Sequence, residues 1–65
     1  MKSRKELTSD EHLSIALLNQ SNVIVHFVDN GEIADYGGLI ELINDDAVKI
    51  NGMYYTKRAC RFYLR

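Results

Sequence analysis

The chain has little of what usually holds very small proteins together. It carries one cysteine, Cys60, in 65 residues, which excludes an internal disulfide and a cysteine-rich zinc knuckle. It has no proline, no low-complexity stretch and no internal repeat, so no linker is expected beyond its first few residues. No apolar run approaches the roughly 20 residues that span a bilayer. Glu6, Ser9, Asp10, Glu11 and His12 stand where a signal-peptide apolar core would have to lie. A free cysteine without an export signal points to the cytoplasm. An excess of one charge is missing too. The formal net charge is −1, so the chain as a whole is not a basic nucleic-acid glue.

What is present is a globular composition, 46% hydrophobic and 26% charged, which sets the chain apart from disordered sequences. The length allows one domain. A chain this short buries only about 60% of the surface it exposes when unfolded. With no disulfide or metal to help, a homo-oligomer is the expected source of further stability. The charges are segregated. Lys2, Arg4 and Lys5 lead the chain, and Lys57, Arg58, Arg61 and Arg65 close it. Six acids and no base lie between Asp29 and Asp46.

Residues 1–7 are read as a flexible basic tail and residues 8–65 as a single domain. Residues 8–20 are expected to form a helix. Thr8 with Glu11 fits a capping box, and Ser9 is an equally good cap. Leu13, Ala16 and Leu17 make one apolar stripe, while Ile15 and Leu18 make a second arc roughly opposite. That second arc is a candidate partner-binding surface.

Five strands are expected between residues 23 and 64. Val23–Val28 is β-branched and aromatic, and Asp29-Asn30-Gly31 is turn chemistry. A long strand from about Glu32 to Ile43 is interrupted by Gly37-Gly38, which marks a bulge or bend. After the turn Asn44-Asp45-Asp46, Ala47–Ile50 and Met53-Tyr54-Tyr55 flank Asn51-Gly52, a specific signal for a type I′ hairpin. Ala59–Leu64 closes the set. Alternation turns Val48, Ile50, Met53, Tyr55, Cys60, Phe62 and Leu64 inward, joined by Ile40 and Leu42, and leaves Lys49, Tyr54, Arg61, Tyr63 and Arg65 outward. The fold class is therefore mostly β with an N-terminal helix, arranged as a five-stranded small barrel whose closure would remove its edges.

This order of elements resembles the Sm-like barrel, and within it the bacterial Hfq type, over about residues 8–65. The matching features are Phe27-Val28-Asp29-Asn30-Gly31, the bend at Gly37-Gly38, the turn Asn44-Asp45, the apolar Val48 and Ile50, and Tyr55-Thr56-Lys57-Arg58-Ala59. The last of these is similar to the family's Tyr-Lys-His-Ala motif with one residue inserted. The resemblance implies a ring-forming RNA-binding protein whose last two strands pair with neighbouring subunits, with Lys57 and Arg58 at the uridine-contacting positions. The family's base-stacking aromatic falls on Asp46 here, and its basic helix rim falls on Leu17 and Leu18.

Two functional expectations follow. The first is an RNA- or single-stranded nucleic-acid-binding regulator, using Tyr54 and Tyr63 as stacking faces and Lys49, Lys57, Arg58, Arg61 and Arg65 as cations. The alternative is a protein-interaction module, an adaptor or inhibitor, that binds no nucleic acid. The small size, acidic middle and two-sided helix motivate it. No cofactor and no metal site are expected, because His12, His26 and Cys60 lack zinc-ligand spacing and the turn acids lack the ligand spacing of a calcium loop. An enzyme is not expected, since no acid, base and nucleophile assemble in the sequence.

Overall fold

The computed structural model describes residues 4–65. Lys2 lies outside the described residues. The elements run α1 (Asp10–Leu18), β1 (Asn22–Phe27), β2 (Ile33–Ile43), β3 (Ala47–Ile50), β4 (Met53–Thr56) and β5 (Cys60–Leu64).

Helix α1 is shorter than its apolar pattern because both its ends are capped by the local sequence. Ser9 is the N-cap, and its hydroxyl accepts from the His12 amide at 3.2 Å. His12 reaches back, its Nδ1 lying 3.2 Å from the Thr8 amide that donates to it. Histidine at the third helical position thus takes the place of a capping-box glutamate, but it accepts from the residue before the N-cap rather than from the N-cap itself. At the other end the Ser21 amide donates to Ala16 O and the Gln20 amide to Leu17 O. This is a Schellman turn, with Gln20 at φ +53° where glycine is usual. Leu13 and Ala16 are buried against the sheet, while Ile15 and Leu18 point away, Leu18 being 80% exposed.

The strands make one antiparallel sheet in the order β4-β3-β2-β1-β5. The sheet is not closed: no ladder joins β4 to β5 among the described residues. The barrel expected from the edge argument is therefore an open, curled sheet. Its curl comes from β2. Three register shifts interrupt the pairing of β2 with its neighbours, and each extra residue bends and twists the strand. One lies at Tyr36–Gly37, where Gly37 has φ +144°, as the Gly-Gly pair predicts. Another lies between Ile40 and Leu42. It corrects the expected core: Ile40 and Ile43 pair with Ile50 and Val48 on the inner face, and Leu42 pairs with Lys49 on the outer face. Met53 is the second correction. It has inward parity beside Ile50, yet it is 59% exposed, because β4 is an edge and no strand among the described residues pairs with its far side.

The core gathers Leu7, Leu13, Ala16, Val23, Val25, Ile40, Val48, Ile50, Cys60 and Phe62 between the helix and the concave side of the sheet. Ile50, Val23, Val25 and Val48 are fully buried, each contributing roughly 1.5–3 kcal/mol of transfer free energy. Ile24 is buried as well but faces outward. It lies opposite Tyr63, whose ring packs edge-on to His26 at 5.1 Å.

The largest departure from expectation is at the N-terminus. Lys5–Leu7, read from sequence as tail, lie along β5. Glu6 bridges to Tyr63, the Leu7 amide donates to Phe62 O and the Leu64 amide to Lys5 O, both at 2.8 Å. Leu7 enters the core. The β5 edge is thereby covered by the chain itself, and among the described residues β4 remains the longer uncovered edge.

Candidate functional site

Of the residues nominated for nucleic-acid binding, Lys57, Arg58 and Arg61 line one groove, and the others lie on two further parts of the sheet. Lys49 and Tyr54 lie on the outer face of the β3–β4 hairpin, where they pair across the ladder. Arg61, Tyr63 and Arg65 lie at the β5 margin, three strands along the sheet from Lys49 on β3 and four from Tyr54 on β4.

Most of these cations also have partners within the chain. Lys57 Nζ lies 2.8 Å from Asp10, tying the β4–β5 turn to the start of α1, where an acid already favours the helix dipole. Arg61 Nη1 lies 3.2 Å from Glu6. Lys49 Nζ is 4.0 Å from Glu41 and 5.5 Å from the centre of the Tyr54 ring. Tyr63 is half-buried against His26. The Arg65 side chain lies across the outer face, where a Cβ at Gly37 would come within 3.1 Å of it. Arg58 is exposed in the β4–β5 turn. It and Arg65 form no salt bridge among the described residues.

Between the Glu6–Asp10 segment at the start of α1 and the β4–β5 turn with β5, an open groove of about 450 Å³ runs over Leu7, Leu13, Cys60 and Phe62. The Lys57–Asp10 and Arg61–Glu6 pairs stand on its rim. Cys60 at its floor is buried, and burial pushes its thiol pKa up. That is the opposite of what a nucleophilic thiolate requires. No group of three or more His, Cys, Asp or Glu is placed to hold a metal ion among the described residues.

Sequence reasoning missed a polar clasp that holds the β3–β4 hairpin onto the bend of β2. Asn51 occupies a left-handed position at φ +54°, followed by Gly52 at +77°, the geometry of a type I′ turn. Its Nδ2 donates to both Asp35 oxygens at 3.1 Å and to Gly37 O at 3.3 Å. The Tyr55 hydroxyl donates to Asp35 at 3.0 Å, as does the Gly37 amide. Burial works to raise the Asp35 pKa, but hydrogen bonds from Gly37, Asn51 and Tyr55 outweigh it and hold the carboxyl below its usual value. Tyr55 is pushed up by burial and by its bond to that carboxylate. Asn51 can reach across only because Gly38 lacks a side chain: a Cβ there would lie 2.6 Å from Asn51 Nδ2. Glu41, at the β2 bulge, completes the clasp by accepting from the Gly52 amide at 2.8 Å. Turn chemistry alone marks Asn51-Gly52; nothing local marks Asp35, 16 residues earlier, as its partner.

The clasp presents β4 as an edge with apolar surface around it. Met53 and Tyr54 on β4 and Leu42 and Leu39 on the outer face of β2 are all exposed. On the β5 side Leu7 is buried and Tyr63 half-buried, while Phe27 and Val28 beside the start of β5 are exposed.

Fold and surface together define a small mostly-β domain: one short N-terminal helix packed on an open five-stranded antiparallel sheet. No family model, no curated protein and no solved structure matches the chain. No helix among the described residues is long and apolar enough to cross a membrane.

Proposed function

We propose that this chain is a non-enzymatic protein-interaction module that binds through its open β4 margin. The observation that carries this reading is the exposure of Met53 and Tyr54 on an uncovered strand. Strand addition at such an edge supplies main-chain hydrogen bonds, and neighbouring side chains supply selectivity. Three of the five cations nominated for a polyanion, Lys49, Lys57 and Arg61, instead face carboxylates of the same chain. A buried thiol with a raised pKa supports a role without nucleophilic catalysis, and an unpaired cysteine supports a reducing, cytoplasmic setting.

A second reading, binding of single-stranded RNA or DNA, is favoured by exposed Tyr54 with Lys49 beside its ring, a small stacking platform, and by the groove that Lys57, Arg58 and Arg61 line together. Fluorescence anisotropy with labelled single-stranded RNA and DNA at low salt separates the two. The interaction module leaves the anisotropy flat into the tens of micromolar. Binding that weakens steeply with added salt overturns it in favour of the second reading.

A further inference from the structure

The two ends of the sheet restrict what the β4 margin can accept. A head-to-tail assembly needs two different free edges. The β5 edge is taken by Lys5–Leu7. Among the described residues β4 is the longer free edge, since Lys5–Leu7 leaves only the Glu6 backbone facing outward, and the closed arrangement β4 permits for identical chains is isologous, edge against the same edge around a two-fold axis.

We propose that the partner of the β4 edge is a second copy of this chain, paired antiparallel so that Tyr54 of one copy lies opposite Thr56 of the other. This rests on the interaction-module reading and names its occupant. The register follows from the hairpin. Ile50 and Met53 flank the two-residue turn, and Lys57 N donates to Asp46 O at 2.8 Å. Antiparallel alternation then directs the backbone of Met53, Tyr55 and Lys57 toward β3, and that of Tyr54 and Thr56 outward. Pairing Tyr54 with Thr56 across a two-fold axis at Tyr55 joins these outward amides and carbonyls into one ladder.

Charge selects the second copy and its direction. One end of β4 is the Gly52 turn, where Glu41 sits on the Gly52 amide with its carboxylate partly exposed. The other end is the Lys57-Arg58 turn, and Arg58 has no carboxylate within salt-bridge distance among the described residues. The antiparallel register sets Gly52 of one copy opposite Arg58 of the other, twice. Each Arg58 guanidinium then meets the Glu41 carboxylate of its neighbour. A parallel pairing sets Arg58 against Arg58 and Glu41 against Glu41. In the antiparallel register the exposed Met53 also lies opposite Lys57 of the other copy and covers its alkyl stem. Four residues of edge make a small contact, so the association is of the weak, reversible kind.

Light scattering and amide NMR across a micromolar-to-millimolar dilution series test this. The expected result is a monomer–dimer equilibrium, with concentration-dependent shifts confined to the amides of Gly52–Arg58 and Glu41. Arg58→Glu should weaken the dimer at least tenfold, and Arg58→Lys, which keeps the charge, should retain it. Tyr54→Pro removes an outward amide at an edge position that tolerates proline and should abolish the dimer while circular dichroism stays unchanged. A wild-type chain that remains monomeric at millimolar concentration overturns the proposal. So does a folded Arg58→Glu variant that dimerises as wild type does. Neither result bears on the interaction-module reading, which falls separately if the anisotropy titration shows salt-sensitive nucleic-acid binding.

Discussion

The two margins of the sheet are stabilised differently. The β5 margin is sealed by apolar burial: Leu7 enters the core, the Lys5–Leu7 backbone completes the ladder, and Arg61–Glu6 and Lys57–Asp10 close the surface above. The β4 margin is held by polar geometry, with Asp35, Asn51, Tyr55, Gly37 and Glu41 clasping the hairpin, and it leaves its outer edge bare. Among the described residues the chain covers one edge with its own Lys5–Leu7 segment and exposes the other.

The strongest way to break the contrast is to delete residues 1–7. The loss combines Leu7 burial with two backbone hydrogen bonds, about 3–4 kcal/mol. Because a free β5 edge then faces a free β4 edge, the folded fraction should sediment beyond a dimer. Leu7→Ala, costing about 2–3 kcal/mol by thermal or urea unfolding, should weaken the sealed margin without opening its ladder.

The polar margin is broken next by Asp35→Ala, which removes a carboxylate accepting from three donors and should cost about 2 kcal/mol. Its pH signature has a definite sign. The folded pKa of Asp35 is depressed, so its contribution is present above the ordinary carboxylate range and disappears as pH falls through the folded value. Tyr55 and Cys60 are raised. Their contributions are complete below the unfolded values and vanish as pH climbs through the folded ones. Urea unfolding against pH should therefore show a plateau around neutrality, and Asp35→Asn should flatten its acid limb.

Gly38→Ala sharpens the comparison more gently. The new Cβ displaces Asn51 from Asp35 and should cost about 1.5 kcal/mol. It should loosen the hairpin tip, read as faster amide exchange at Gly52, without altering Leu7. The smallest effect is a gain on the sealed side. Gln20 sits in the left-handed region at the end of α1, and Gln20→Gly should raise stability by about 1 kcal/mol.

Much of the fold was legible from residue order. The apolar stripe of Leu13 and Ala16, the β-branched run of β1 and the Asn51-Gly52 turn are local signals, because each depends on the chemistry of a few neighbouring residues. The parity of Val48, Ile50, Cys60 and Phe62 came through for the same reason. Leu42 was misplaced because a bulge next to Glu41 resets a strand's parity, and glutamate is not a residue that announces a bulge. Lys5–Leu7 were read as tail because a short charged segment shows no periodicity. Its place on β5 depends on an edge that exists only once the sheet has formed. The grouping of the nominated residues was not legible, because outward parity says which face a side chain shares and nothing of which turns the curled sheet brings together, or which carboxylate already holds a charge.

The sequence by itself determined the element order, the hairpin and most of the core, since hydrophobic period and turn chemistry act over a few residues. Only the tertiary structure decided which edge is sealed, where Asp35 is bound and which cations stay unmatched. Those outcomes join residues as distant as Glu6 and Arg61 or Asp35 and Asn51, and such contacts are set by how the whole sheet curls.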